Sequence, residues 1–278
     1  MRYAVHHVRR PSLTRDLPYG PEDLLWVTNT ATLLIGEQDA VLVDTFLTVE
    51  QNQQLIDWVR SFGRRLTAVY VTHGHGDHLF GLSQLAEAFP GVRAVATEAT
   101  TAAARVQTGT EMVSTFWQPL FPGQIPDHLT LPEPLDEDHL ELEGQRLEII
   151  ETGFTDTAAS TVVWAPDPRV IVGGDVVYND THPFLAESTA PTRREWAATL
   201  DRLVELEPAA VVAGHKNPDR PDDPRILAET AAYLREFDML DARTTTAEEL
   251  YREMLHRHPR RVNPGSLWGA AKRAKQRP

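Results

Sequence analysis

Two spacings of apolar residues run through the 278-residue chain. Apolar, β-branched stretches at 24–34 and 40–43 flank the turn-like Gly36-Glu37-Gln38-Asp39 and predict a hairpin or meander of strands. Thr48 and Gln51 form a capping box ahead of Leu55, Ile56, Val59 and Phe62 at helical spacing, with Gly63 as the stop. A short buried strand follows at 66–71, then a helix at 82–89 stopped by Pro90, and a strand at 92–96. The stretch 98–117 reads as one helix, and the proline-rich 119–138 as an irregular surface loop. A second strand-rich half begins at 147–151, 161–164 and 170–172. Thr192 and Glu195 then open a helix to about 205, and 209–213 is a strand. Helices at 222–240 and 246–256 close the pattern. Strands lead in each half and then alternate with helices, without internal repeat or linker. Two sheets packed face to face with helices outside satisfy this order. The expected architecture is an α/β (α+β) αββα sandwich, one domain over 1–278 with a C-terminal helical extension from about 241.

Composition narrows the chemistry. Hydrophobic residues make up 41% and charged residues 24%, as in a globular protein. There is no cysteine, so any metal site is built from nitrogen and oxygen donors. No apolar run reaches the roughly 20 residues of a membrane helix, and Met1–Arg10 lacks the apolar middle of a signal peptide. We therefore expect a cytoplasmic protein with no membrane partner. The net charge of −13 argues against nucleic acid. From Arg257 onward the tail is basic, with Arg260, Arg261, Lys272, Arg273, Lys275 and Arg277, and reads as a solvated or partly frayed terminus.

The densest chemistry is Val71-Thr72-His73-Gly74-His75-Gly76-Asp77-His78, directly after an apolar strand. Three imidazoles and a carboxylate suit zinc, and also iron or manganese. The interleaved glycines permit backbone angles that other residues avoid, so the loop can aim its ligands inward. This segment resembles the signature loop of the metallo-β-lactamase superfamily. Leu42-Val43-Asp44-Thr45, Val170-Ile171-Val172-Gly173-Gly174-Asp175 and Val211-Val212-Ala213-Gly214-His215 resemble further elements of that family, in its order, across most of residues 24–240.

Carried over, the resemblance implies that His73 and His75 hold a first metal, that Asp77, His78 and His215 hold a second, and that Asp175 bridges them. Asp44 supports the loop without binding metal. The implied activity is hydrolysis of an ester, lactone, thioester or amide bond of a small molecule by a metal-bound hydroxide, with Asp77 orienting it. Tyr178 and His182, in the loop after Asp175, are candidates for touching substrate or stabilising an oxyanion, against the plainer reading of ordinary loop residues. Lys216 reads as an exposed lysine sooner than an anion site. Met112, Phe116, Trp117 and Phe121 either pack the middle helix onto the body or line a pocket wall.

One element departs from the family. Thr152-Gly153-Phe154-Thr155 stands where a Gly-His-Thr segment supplies the first metal's third histidine, and phenylalanine cannot coordinate. A single ion at the second site, completion of the first by Asp156 or the more distant His182, and loss of hydrolysis all remain open. We read the second site as the secure one, with zinc the expected metal, so that Phe154→His gains about one metal equivalent. The rival to hydrolysis is ligand binding, cyclisation or elimination at a degenerate site. Neither the substrate nor the oligomeric state is legible.

Overall fold

The computed structural model describes residues 1–9, 16–20 and 27–276. The expected start of the first strand at 24–26, Arg10, and Arg277 of the basic tail lie outside the described residues. The chain opens with β1 (Arg2–Val8), β2 (Asn29–Ile35) and β3 (Asp39–Val43), followed by α1 (Val49–Ser61) and β4 (Arg65–Tyr70). The histidine loop leads into the short α2 (Gly76–Leu79), then α3 (Leu82–Ala88), β5 (Arg93–Ala96) and α4 (Glu98–Gln107). Next come α5 (Thr110–Met112), a π turn (Val113–Trp117), α6 (Gln118–Leu120) and β6 (Glu133–Pro134). The second half holds β7 (His139–Leu142), β8 (Gln145–Gly153), β9 (Ser160–Ala165), β10 (Val170–Val172) and β11 (Tyr178–Asn179). It continues with α7 (Ala190–Val204), β12 (Ala210–Val212), β13 (His215–Lys216), α8 (Ile226–Asp241), α9 (Ala247–Arg257) and α10 (Pro264–Lys275).

One sheet runs β11-β13-β2-β3-β4-β5-β6, with β1 also paired to β2; the other runs β12-β10-β9-β8-β7. Between them lies a core to which β3 sends Val41 and Val43, β4 sends Tyr70, and the second sheet sends Leu147, Val163, Val170 and Val212. The opposite face of the first sheet packs on α1, α3 and α4 through Leu55, Leu85 and Ala104. The far face of the second packs on α7 to α10 through Trp196, Leu234, Tyr251 and Leu267. The result is the expected four-layer αββα sandwich, because each sheet must bury both faces. No helix among the described residues is long and apolar enough to cross a membrane.

Four expectations change. β1 and β7 escaped the apolar pattern because each is half-exposed. The helix expected over 98–117 breaks at Thr108-Gly109 and resumes through the π turn. The helix expected to begin at Thr192 begins earlier: Thr189 is its N-cap, and Thr192 is the other half of the capping box. The largest change is at the C-terminus. Through Gln276 the basic tail is not frayed: α10 buries Leu267, Ala270 and Ala271, while Lys275 donates to the Thr244 carbonyl at 2.8 Å, near the C-terminal end of α8.

Candidate metal centre

The candidate ligands sit at strand C-terminal ends along one edge of the sandwich. β3 and β4 are parallel, so Asp44 and the histidine loop emerge side by side, joined by the Asp44 N–H to the Tyr70 carbonyl at 2.8 Å. β10 and β12 are likewise parallel, bringing Gly174-Asp175 against Gly214-His215. Here the glycines matter for proximity. A Cβ on Gly214 would stand 2.3 Å from an Asp175 oxygen, and one on Gly74 would stand 2.6 Å from the Ala103 Cβ. Neither Gly74 nor Gly76 has positive φ, so the loop glycines serve close packing, not the unusual backbone angles anticipated for them.

Two groups of donors converge: His73, His75, Asp156 and Asp175; and Asp77, His78 and His215. All six residues expected to hold metal are among them. Phe154 is partly buried and joins neither group. Asp156, weighed as one way of completing the first site, is the residue brought in. Its Oδ2 lies 3.1 Å from His75 Nδ1 and 3.7 Å from His73 Nε2. Its Oδ1 accepts from the Thr155 hydroxyl at 2.9 Å, which turns Oδ2 inward. Asp175 reaches both groups, with Oδ2 2.9 Å from His215 Nε2, Oδ1 3.3 Å from His78 Nε2, and Oδ2 3.9 Å from His73 Nε2.

These residues fit metal ions. A tetrahedral ion with bonds of about 2.0–2.1 Å sets its donors roughly 3.3 Å apart. The donor separations of 2.9–3.9 Å bracket that spacing. Four of the converging atoms, His73 Nε2, His78 Nε2, Asp156 Oδ2 and Asp175 Oδ1, are buried without a hydrogen-bond partner. Buried polar atoms are seldom left so, and four aimed at common points are what a cation would satisfy.

The opposite ring nitrogens are all held. Asp44 accepts the Thr72 N–H at 2.8 Å, the Thr72 hydroxyl at 2.8 Å and His78 Nδ1–H at 3.1 Å. Since the Thr72 proton is given to Asp44, Thr72 Oγ1 accepts from His73 Nδ1 at 3.0 Å. His215 Nδ1 donates to the Thr28 carbonyl at 3.3 Å, and His75 Nε2 to Glu187 at 3.1 Å. In its neutral form each ring thus leaves a lone pair facing the centre. Asn29 holds Asp77 through Nδ2 to Oδ2 at 2.9 Å. Sequence reasoning missed Asn29 and Glu187; the only signal for Asn29 was an amide inside the apolar stretch 24–34.

The field is strongly polarised. Burial opposes charge throughout, yet Asp156 and Glu187 hold His75 well above the ordinary imidazole range, and Asp175 and Asp77 do the same for His78. Against its own burial, Asp175 is held well below the usual carboxylate range by His215 and His78. Burial, with the neighbouring Asp175 and Asp156, pushes the Tyr178 phenol far up, so it stays protonated.

Above the donors opens a cavity of about 440 Å³ whose floor includes His75, Asp77, Asp175, Tyr178 and His215. Tyr178 donates to Asp175 Oδ2 at 3.0 Å. Met112, Phe116 and Trp117 do line this cavity, whereas Phe121 is buried in the core of the first sheet. Lys216 is not exposed: it is buried and paired with Asp222 at 2.5 Å.

His182 corrects an expectation. It lies outside both donor groups and the cavity lining, buried with Nδ1 2.8 Å from the Tyr233 hydroxyl. Burial, then Arg261 and His258, holds it well below the ordinary imidazole range. Its unfolded form therefore takes a proton that its folded form refuses, so stability falls as pH drops below about 6.5. In chelator, wild-type unfolding free energy should fall faster than that of His182→Gln, by about 1 kcal/mol per pH unit. Parallel urea titrations across this range check it, and equal slopes would refute it.

The sequence model of the family described as the metallo-beta-lactamase superfamily matches residues 24–215. A metallo-beta-lactamase type 2 of Bacteroides fragilis is 26% identical over 192 residues, 68% of this chain and 69% of that protein. One from Bacillus cereus is 24% identical over 184 residues, covering 64% of this chain and 62% of its own length. The chain thus spans about two thirds of these relatives. Among solved structures, a metallo-beta-lactamase from Pontibacter korlensis superposes with a TM-score of 0.63 at 20% identity, over 84% of this chain and 94% of that one. A metallo-beta-lactamase family protein from Thermus thermophilus gives 0.63 at 23%, over 95% and 91%.

Proposed function

This chain belongs to the metallo-beta-lactamase superfamily, and from that premise we propose that it hydrolyses an ester, lactone, thioester or amide bond of a small molecule with two metal ions. Membership and the distant relatives support metal-dependent hydrolysis at the level of the superfamily. The observation that carries the finer reading is the pair of buried donor groups joined by Asp175 under a cavity. His73, His75 and Asp156 would hold one ion, Asp77, His78 and His215 the other, and Asp175 both. Two nitrogens and two oxygens at each position suit zinc, and also iron or manganese.

Bound there, the ions supply a water of lowered pKa and polarise the scissile carbonyl. The chain's own groups do the rest. Asp77, fixed by Asn29, orients the attacking water. Tyr178 stays protonated and lines the cavity; its one proton, given to Asp175 Oδ2 in the resting site, turns to the carbonyl oxygen as that oxygen gains charge. Tyr178→Phe should lower kcat about 10²-fold with metal content unchanged. An unchanged kcat would reduce the phenol to a brace for Asp175.

The test of the reading is direct. Protein stripped by chelator and reloaded with zinc, iron or manganese is assayed on neutral chromogenic esters, lactones and thioesters and on a β-lactam. Activity should vanish on stripping and return on reloading. Hydrolysis of none of these by any loaded form, or full activity after stripping, would sink it.

A further inference from the structure

Beyond residue 215, where the family match ends, the chain builds a wall of the cavity. α10 has two faces. Leu267, Ala270 and Ala271 are buried in the core beneath it, and Trp268 stands edge-on to Tyr251 at 5.5 Å. The other face offers Gly265, Ser266 and Gly269 to the cavity. A Cβ built on Gly269 meets nothing within 4 Å, so the glycine answers no packing demand from the protein itself. Inside a helix it also costs stability relative to alanine. Much of the remaining lining is apolar: Met112, Phe116, Trp117 and Leu120 from the broken helical run, with Phe184. Phe116 is 44% exposed, a large apolar side chain held open beside the donors.

Charge points the same way. Among the described residues no lysine or arginine lines the cavity. Lys216, beside His215, is spent on Asp222. Glu187 adds a carboxylate to the rim.

We propose that this cavity takes an uncharged substrate carrying an extended apolar group, laid against the glycine face of α10 and this apolar lining, with Gly269 setting the room available. The proposal rests on the hydrolase reading above and names its substrate class. An apolar cavity of about 440 Å³ holds a ligand of ordinary small-molecule size. Each methylene it buries contributes a roughly fourfold gain.

The test compares three 4-nitrophenyl esters on zinc-loaded protein: acetate, octanoate, and the half-ester of octanedioic acid, which ends in a carboxylate. The octanoate should exceed both others in kcat/KM by about tenfold or more. Gly269→Leu should lower the octanoate's kcat/KM about tenfold more than the acetate's. Gly269→Ala keeps or raises the melting temperature, which separates loss of room from loss of fold. Equal losses on both esters in Gly269→Leu, or preference for the carboxylate-ended ester, would overturn the proposal. If no ester is hydrolysed the hydrolase reading has failed, and calorimetry with octanamide decides this one alone. Saturable binding to wild type that is lost in Gly269→Phe supports it, and absence of binding to wild type overturns it.

Discussion

Replacing Asp156 by alanine should remove about one equivalent of metal per chain and lower kcat by about two orders of magnitude. The first donor group is then left with His73, His75 and the shared Asp175, one protein donor short of the four that surround the other position, and so holds its ion more weakly. Asp156→His should keep both equivalents, since an imidazole offers a nitrogen in place of the oxygen. Phe154→His should leave the stoichiometry unchanged, the reverse of what the sequence led us to expect, because residue 154 is outside both groups. Elemental analysis of the three variants, with circular dichroism as a control on folding, checks all of this together. Two equivalents in Asp156→Ala would remove Asp156 from the metal centre.

Asp44→Ala should be among the most destabilising single changes in the chain. Three buried donors, the Thr72 N–H, the Thr72 hydroxyl and His78 Nδ1–H, converge on this one carboxylate. Stranding them costs about 1–3 kcal/mol each where no water substitutes, so a loss of roughly 3–5 kcal/mol is expected in urea unfolding. The asparagine variant isolates the chemistry. Its amide donates toward the Thr72 hydroxyl and toward His78 Nδ1, which moves the protons of His73 and His78 onto their Nε2 atoms, where the ions belong. Asp44→Asn should therefore lose less stability than alanine yet weaken metal binding about 10–100-fold, as read by competition with a chromogenic chelator. Wild-type affinity in Asp44→Asn would mean that the tautomers are set elsewhere.

How much of this was legible depended on what each residue answers to. The sandwich followed from alternating apolar runs. Six of the seven donors followed from three short motifs, each bound to a strand end whose direction the sheet fixes. Asp156 did not, because spacing fails at that turn. The ladder between β8 and β9 shifts register between Glu151 and Gly153, and Gly153 takes φ +74°. A bulge and a left-handed residue redirect the chain, so the inward side chain falls two places later than strict alignment with the family puts it. His182 misled in the opposite sense, being near Asp175 in sequence but turned to Tyr233. α10 was hidden by its basic residues. Lys272 and Lys275 reach Asp16 and Asp241 at its edges while a narrow Leu267-Ala270-Ala271 stripe does the packing.

In the function proposed above, two ions would share Asp175, with Asp156 completing the first position. Anomalous diffraction at the zinc edge from crystals of zinc-loaded protein tests that most directly. Two peaks should appear, one amid His73, His75, Asp156 and Asp175, the other amid Asp77, His78, Asp175 and His215. A single peak at the second position, or an Asp156 carboxylate turned away from the first, would contradict it.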